Sequence, residues 1–504
     1  MATMATTPNF VSPLRLLEEN PEAVLAALRQ GWVDYWETAV DQVTDEHVRF
    51  ALQSGLLAER AAAFPDPRLH PEIPLLVLLT ASVAAAFQGE YGLRNSGCAL
   101  HSPALLAELG LNAAWLAPGE GLSRRGTQDE AVFHGDVLRK LLQSVAAADR
   151  AAGRRPGESL LQWWNTTVGP AMRRLADGGL GVWIRDVTKI VVNLDNPRYE
   201  QSEVASEEKA DGSKEPPQRG YKLGLLSCLL GTGRLLVQVA WDGLRCGDRP
   251  LTEPFVTPEQ TPLARGDQLL EDRGMLDGGE ISRLKRDLGV DVVVPLKSAM
   301  LAHRMAIFFA QRRPKNWQPH PSRKQQEIQK VCGLQRWWSA CTVPLVGCVV
   351  REWDAAKQAY EYWVFAHTNP QRDARGIIRD YETRSECEED HRQVKGPNWE
   401  LDEYPSTALV EILYHVLLVL FAYNLCQLYA QTAAGERFAG ETKRARRRRV
   451  RREPVSVVVV SGPYYAVFPW PVLALELLAV EGAAKERLQA VAQRQVAGKA
   501  GWGQ

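Results

Sequence analysis

The amino-acid sequence predicts an α/β protein in which a mainly helical N-terminal domain precedes a mixed core. Three observations support this prediction. Apolar residues recur with helical periodicity before residue 178, for example in residues 73–87 and 136–152. Residues 181–194 are rich in β-branched side chains, which is typical of a strand. Strand-like and helix-like segments then follow one another as far as residue 297, and this mixture is typical of an α/β domain.

Composition places the chain among ordinary globular proteins. Of its 504 residues 45% are hydrophobic, and 60 basic residues balance 60 acidic ones. The net charge therefore gives no indication of a nucleic-acid partner. A chain of this length is too long to fold around one hydrophobic core, so about two or three domains are expected. The eight cysteines include no pair at the two-residue spacing of a zinc site, which indicates reduced thiols in a cytosolic setting.

Membrane insertion is not expected. The N-terminus lacks the basic start and the apolar core of a signal peptide. The most apolar stretch, residues 408–430, contains Glu411, His415 and Asn424. A buried helix suits it better than a membrane span, which needs about 20 largely uninterrupted apolar residues. We therefore expect a soluble, cytoplasmic protein with no membrane partner.

Local patterns predict the elements of the core. Residues 221–230 and 235–241 are expected to form a β-hairpin, after a polar surface loop from Tyr199 to Arg219. A strand ending near residue 272, a helix at 278–289 and a strand at 290–297 follow. Two further strands, 342–350 and 360–368, are predicted to pair in an insertion. The expected segments are a helical N-terminal domain (1–178), the first part of the core (179–297), a β-rich insertion (298–375), the final helices of the core (376–432) and a basic C-terminal region (433–504).

Three acidic residues stand out by their positions. Asp186 lies within the first predicted strand, Asp272 ends a later strand, and Glu388 follows the insertion. Acidic groups at the ends of apolar strands are costly unless a cation compensates them. Two divalent cations bound by three carboxylates would do so. Mg²⁺ is the expected ion because it prefers oxygen ligands, with Mn²⁺ able to replace it.

The most informative stretch surrounds Glu388. Tyr381, Arg384, Glu388 and Lys395 follow one another at steps of three, four and seven residues. On a helix these steps return to one face, so the four side chains are predicted to form a polar stripe. A carboxylate flanked by phosphate-binding side chains suits metal-assisted phosphodiester chemistry.

Taken with Asp186 and Thr188, and with the run Asp272-Arg273-Gly274, this stripe resembles the DDE transposases of bacterial insertion sequences. Within them it resembles the group named for the Tyr-Arg-Glu-Lys (YREK) signature. The resemblance covers residues 182–429, about half of the chain. It implies a ribonuclease H-like catalytic core with a β-rich insertion before the final acid. It also implies metal-dependent cleavage at transposon ends and strand transfer of the 3′-hydroxyl into target DNA.

The same resemblance implies roles for individual residues. Asp186, Asp272 and Glu388 would be the catalytic ligands of two Mg²⁺ ions. Tyr381, Arg384 and Lys395 would hold phosphates of the transposon end, which suits two cations and a hydroxyl. The chain departs from the group at Ser385, where tryptophan is frequent.

Some assignments have competitors. Asp195 lies on the same segment as Asp186, and Glu386 or Glu389 could be mistaken for Glu388, although the spacing from Arg384 and Lys395 favours Glu388. A basic run between residues 443 and 452 is predicted to contact DNA phosphates, the alternative being a solubility patch. Its central residues are Arg446, Arg447, Arg448 and Arg449. Four tryptophans of the insertion are predicted to fill its core, the alternative being stacking on a DNA base. They are Trp317, Trp337, Trp338 and Trp353.

The implied partners are the terminal inverted repeats of a transposon and its target DNA, bound by a homodimer in a synaptic complex. The helical N-terminal domain is the natural place for recognition of the transposon ends, and a bacterial, nucleoid-associated location would follow. Two rival functions share this fold. One is a domesticated, structure-specific nuclease with the same acids, and the other is a catalytically inactive DNA-binding protein.

Overall fold

In a computed structural model of the chain, the described residues are 17–39, 42–89, 92–93, 96–100, 105, 108–109, 133–176, 181–206, 214–230, 233–384, 388, 391–392, 394–395, 399–404, 406–436 and 456–500. The chain divides into two compact units. Residues 1–163 and 403–504 belong to the first unit, and residues 164–402 belong to the second.

The N-terminal part of the first unit is mainly helical, as predicted, but it also contributes two strands. The helix Asp136–Ala151 illustrates the sequence pattern: Leu138, Leu141, Leu142 and Val145 recur at helical spacing and are buried. The elements are β1 (Glu18–Glu19), α1 (Pro21–Arg29), β2 (Tyr35–Ala39), α2 (Gln42–Gln53), α3 (Leu56–Ala62), α4 (Leu75–Gln88), α5 (Asp136–Ala151) and α6 (Glu158–Trp163).

The second unit begins with a helix and then forms most of its strands. The predicted hairpin is present, and its two strands pair in antiparallel register on either side of residues 231–232. The predicted loop after Tyr199 contains one short strand. The elements are α7 (Gly169–Leu175), β3 (Val182–Val192), β4 (Glu203–Ala205), β5 (Gln218–Leu230), β6 (Gly233–Gly243), α8 (Asp248–Thr252), β7 (Gln268–Glu271), α9 (Gly278–Arg283) and β8 (Asp291–Pro295).

The insertion continues the same unit with strands and one long helix. Its two predicted strands form an antiparallel pair, and the helix Leu301–Gln311 precedes them. The elements are α10 (Leu301–Gln311), β9 (Gln318–Pro319), β10 (Gln326–Cys332), β11 (Val346–Asp354), β12 (Ala359–His367) and α11 (Ala374–Glu382).

One mixed sheet organises the second unit. Its strand order is β4-β5-β3-β7-β8-β12-β11-β10-β9, and β6 also pairs with β5. Strands β6, β5 and β3 are antiparallel neighbours, whereas β3, β7 and β8 run parallel. Strand β12 joins β8 in antiparallel register, so the strands of the insertion extend the sheet of the core instead of forming a separate one.

The C-terminal segment returns to the first unit. Its remaining elements are α12 (Leu409–Tyr429), β13 (Ser456–Ser461), β14 (Tyr464–Pro469), α13 (Trp470–Ala479) and α14 (Gly482–Ala500). Strands β13 and β14 pair with the N-terminal strands in a four-stranded sheet of order β1-β14-β13-β2. The prediction of a mainly helical N-terminal domain missed this sheet, because each N-terminal strand is completed by residues at the other end of the chain.

Helix α12 is the one helix among the described residues that is long and apolar enough to cross a membrane. All of its apolar window is buried inside the protein. The prediction of a buried helix at this position is confirmed. The fold class is confirmed at the level of a mixed α/β protein.

Candidate active site

Strand register brings two of the predicted acids together. Strands β3 and β7 run parallel, and Arg185 on β3 is the register partner of Glu271 on β7. Asp186 and Asp272 are the next residues along the two strands, at the point where β7 ends. Because neighbouring residues of a strand point to opposite faces, the two aspartates share the face opposite Arg185 and Glu271.

The guanidinium of Arg384 contacts all three predicted acids. Its Nη2 atom lies 3.3 Å from Oδ1 of Asp186 and 3.5 Å from Oδ2 of Asp272. Its Nη1 atom lies 3.9 Å from Oε1 of Glu388. Only 10% of the Arg384 side chain is exposed, against 75% of Glu388. Three carboxylates from separate segments therefore surround one largely buried cation.

The signature does not lie on one uninterrupted helix. Helix α11 ends at Glu382, and Thr383 and Arg384 form a turn. The hydroxyl of Thr383 donates to the carbonyl of Arg379 at 3.1 Å, and the amide of Arg384 donates to the carbonyl of Tyr381 at 2.9 Å. A threonine hydroxyl bonded to a helix carbonyl and a tighter backbone bond are typical of a helix end. The described residues 388, 391, 392, 394 and 395 are again helical.

The side chain of Tyr381 packs on the apolar face of the parallel strands. Its ring lies 4.5 Å from that of Phe365 and packs against Ile184, Leu270 and Val293. Burial raises the pKa of its hydroxyl above 10.0, although the neighbouring guanidinium of Arg384 acts in the opposite direction. Tyr381 thus fixes the last turn of α11 over the strand ends that carry the acids.

Lys395 reaches strand β3 close to Asp186. Its Nζ atom donates to the hydroxyl of Thr188 at 2.6 Å and to the carbonyl of Lys189 at 2.5 Å. Burial lowers the pKa of Lys395 below 10.5, against an opposing effect of Asp402. The structure therefore brings Lys395 to the same strand as Asp186, two residues further along.

His391 is a residue of this site that the sequence analysis missed. Its Nδ1 atom lies 3.7 Å from Oδ2 of Asp186. Burial lowers the pKa of His391 to about 4, and the nearby cations Lys395 and Arg234 add to this effect while Asp186 opposes it. The imidazole is therefore neutral near pH 7. Its position three residues after Glu388 was the available signal, because that step shares a helix face.

A buried ion network lies on the other face of the same strands, and it too was missed. Arg185 donates to Glu271 at 2.9 Å, to Glu280 at 2.5 Å and to the hydroxyl of Thr252 at 2.7 Å. Burial raises the pKa of Glu271 to about 7, although Arg185 opposes this shift. The signal was a charged residue directly before each aspartate in an otherwise apolar strand, since such a residue must face the interior on the other side.

The competing acids are found elsewhere or are not described. Asp195 is exposed in the turn that follows β3. Glu386 and Glu389 lie outside the described residues, and so does the predicted DNA-contacting run that contains Arg446, Arg447, Arg448 and Arg449. The structure thus gathers six of the predicted site residues: Asp186, Asp272, Tyr381, Arg384, Glu388 and Lys395.

The chemistry of the donor set suits a hard divalent cation. Three carboxylates converge on a single positive group, and carboxylate oxygens are the ligands that Mg²⁺ prefers. In the part of the chain that the structure describes, no three His, Cys, Asp or Glu side chains are already arranged to hold a metal ion. The guanidinium of Arg384 occupies the centre of the three carboxylates instead.

The four tryptophans predicted to fill the core of the insertion do not lie in it, so that prediction is wrong; Trp338 is half-buried. Trp337 and Trp353 are 36% and 48% exposed. Trp317 is half-buried beneath the guanidinium of Arg351, which lies 4.1 Å from the ring centre and also stacks on Tyr360. The core of the insertion is instead built mainly from smaller side chains such as Val346, Cys348 and Val350 of β11, with the partly buried Trp363 and Phe365 packed against it.

No protein-family model and no curated protein matches this chain. The geometry around Arg384 is therefore the basis for a functional proposal.

Proposed function

We propose that the chain is a DDE-type DNA transposase of the YREK group. The observation that carries the proposal is the convergence of Asp186, Asp272 and Glu388 on Arg384 within 3.3–3.9 Å. Residues 186 and 384 are 198 positions apart, so this convergence is a property of the fold. A set of isolated surface acids would not be expected to share one buried cation.

The strand order supports a ribonuclease H-like core. In that fold, an antiparallel hairpin flanks the central strand on one side and parallel strands flank it on the other. The order β6-β5-β3-β7-β8 has this arrangement, with β3 in the centre. Asp186 follows the last pair of the β3–β7 ladder, and Asp272 directly follows β7. Both lie at the carboxyl end of this parallel pairing, which is where α/β proteins usually bind ligands.

The three acids would act together as metal ligands in the proposed chemistry. Asp186, Asp272 and Glu388 would hold two Mg²⁺ ions, or Mn²⁺ in their place. When bound, the metal supplies Lewis-acid activation of the attacking oxygen and charge stabilisation of the leaving oxygen. Glu388 is exposed and lies on the side of the site that solvent and DNA would reach. Asp186 is buried and lies on the inner side of the site.

Arg384 and Lys395, the two cations of the signature, would bind the phosphates of the DNA. Arg384 balances the carboxylates in the free protein, and its planar guanidinium suits a phosphate equally well. Lys395 is fixed to β3 by its bonds to Thr188 and Lys189. Tyr381 keeps the turn that bears Arg384 seated on the sheet. These side chains would orient the scissile phosphate, and orientation supplies much of the rate in phosphodiester cleavage.

Transposon ends and target DNA are the proposed partners. A homodimer would join two ends, and the bacterial nucleoid is the proposed location.

The test begins with a search for short inverted repeats in the DNA that flanks the coding region. A labelled duplex with such a repeat should be cut at its 3′ end with Mg²⁺ and should stay intact with Ca²⁺. Glu388→Gln should bind the same duplex without cutting it. Cutting by Glu388→Gln at the parent rate would contradict the proposal.

That experiment also separates the two rival functions. A structure-specific nuclease would cut branched DNA without a requirement for the repeat. An inactive DNA-binding protein would bind in Mg²⁺ and in Ca²⁺ without cutting in either.

A further inference from the structure

An exposed basic segment lies at one edge of the large sheet. We call residues 312–324 the basic edge, because they surround the terminal strand β9. The segment carries five cationic residues and no aspartate or glutamate. All five are exposed: Arg312, Arg313, Lys315, Arg323 and Lys324.

Internal ion pairs account for little of this charge. Arg323 lies 3.5 Å from Glu382, and Arg312 stacks on Phe308 with its guanidinium 4.1 Å from the ring centre. Within the described part of the chain, Arg313, Lys315 and Lys324 form no ion pair with an acidic residue. A cluster of like charges without compensation repels itself, and an anionic partner would relieve that repulsion.

Protection of the sheet edge does not require these charges. Proteins use lysine and proline to prevent unwanted pairing at an exposed edge strand. Here Pro319 within β9 lacks a backbone N–H donor, and so do Pro314 and Pro321, which flank the strand. Strand β9 is also only two residues long. Five cations exceed what this purpose needs.

The basic edge is fixed to the helix that leads into the candidate active site. The hydroxyl of Ser322 donates to Glu382 at 2.8 Å, and Nε2 of His320 lies 3.7 Å from the same carboxylate. Glu382 ends α11, two residues before Arg384. Backbone amides of Ser322 and Arg323 donate to Nδ1 of His320, so the turn has a defined shape. Arg323, 3.5 Å from Glu382, thus lies beside the turn whose guanidinium contacts the three acids, and Lys324 follows it directly. Arg312, Arg313 and Lys315 precede β9 in the same segment.

We propose that the basic edge binds the phosphate backbone of duplex DNA as it leaves the candidate active site. This inference rests on the proposed function and adds a contact surface to it. Lysine and arginine bind phosphates without reading base sequence, and each contact releases condensed counterions. The surface therefore contributes affinity and orientation and leaves sequence selection to other parts of the chain.

The test measures binding of a short fluorescein-labelled DNA duplex of mixed sequence by anisotropy, in Ca²⁺ and at several KCl concentrations. The variants are Arg323→Gln/Lys324→Gln and Arg312→Gln/Arg313→Gln/Lys315→Gln. Each lost phosphate contact should reduce the salt slope of log K by about 0.9 and weaken binding on the order of tenfold near 0.1 M salt. A double variant that loses two contacts should therefore lose about 1.8 from the slope.

The matched control is Arg265→Gln/Arg286→Gln. Both arginines are exposed, and they precede β7 and β8, at the end of the parallel strands remote from the acids. The control should leave the salt slope of log K unchanged.

Equal salt slopes for the basic-edge variants and the control would overturn the inference, while the Mg²⁺ cleavage test of the proposed function could still succeed. Binding that depends on the basic edge without any cleavage would support the inference and refute the proposed function. Failure of the parent chain to bind the duplex would overturn both.

Discussion

Arg185 and Glu271 are paired twice. They are register partners in the parallel strands β3 and β7, and their fully buried side chains form an ion pair of 2.9 Å. The residue that follows each of them is a carboxylate of the candidate active site. A slip of one residue between the two strands would break this ion pair and separate Asp186 from Asp272. The ion pair therefore protects the alignment on which the site depends.

Loss of Arg185 should be strongly destabilising. Arg185→Met would leave the fully buried Glu271 without its cation and Glu280 with only Arg249, whose Nε atom lies 3.9 Å away. Breaking a buried ion pair from one side costs about 3–5 kcal/mol. Urea unfolding measures the change in the free energy of unfolding. The exposed Arg265→Met is the control, with an expected change within about 0.5 kcal/mol. Equal stability of the two variants would show that the network does not hold the strands.

Asp186→Asn should remove cleavage and leave folding intact. The substitution keeps the size of the side chain and removes one ligand charge, so the rate of Mg²⁺-dependent cleavage should fall on the order of a thousandfold. Asp195→Asn makes the same chemical change at an exposed position after the same strand and should retain the parent rate. If both variants lost activity to the same degree, Asp186 would have no special role.

Arg384→Gln should make stability more dependent on Mg²⁺. Without the guanidinium, the three carboxylates repel one another, and a bound cation relieves that repulsion. Ligand that binds only the folded state stabilises it, so added MgCl₂ should shift the urea midpoint further for this variant than for the parent. Arg379→Gln, at an exposed position of the helix α11 that precedes Arg384, should respond like the parent. An identical Mg²⁺ response in all three proteins would contradict a shared site.

The attachment of α11 to the sheet should depend on pH. Burial tends to raise the pKa of Asp380, but hydrogen bonds with His367 and Arg372 hold it below 3.8. A carboxyl whose pKa is lower in the folded state stabilises the fold above its unfolded pKa, and this contribution disappears as the pH falls through the folded value. Asp380→Asn should thus cost about 1–3 kcal/mol near neutral pH. The difference from the parent should shrink below pH 3.8. Urea titrations across this range measure it, and a constant difference would contradict the assignment.

The local sequence pattern was sufficient to predict the strands of the core. Strands β3, β11 and β12 combine β-branched and aromatic residues, and these favour extended backbone wherever the strand is later placed. The position of Asp186 within β3 could be predicted for the same reason. The polar step pattern identified Arg384, the residue that contacts the three acids, although the helix was wrongly extended through the turn at Thr383.

Long-range pairing could not be predicted in this way. Strand β2 pairs with β13, and the hydroxyl of Ser461 donates to the carbonyl of Trp32, 429 residues earlier. Nothing in the composition of residues 35–39 indicates a partner so remote. The exposed Trp353 was misjudged because hydrophobic residues are usually buried, whereas large aromatics often remain partly accessible.

The four-stranded sheet of the first unit has a consequence for synthesis of the chain. Its N-terminal strands emerge from the ribosome early, but β13 and β14, which lie between them, are made only after the whole second unit. During that interval β1 and β2 have no partners, so the unit that begins first is completed last. A nascent chain arrested before residue 456 should therefore protect the large mixed sheet from protease while its N-terminal strands remain open to cleavage.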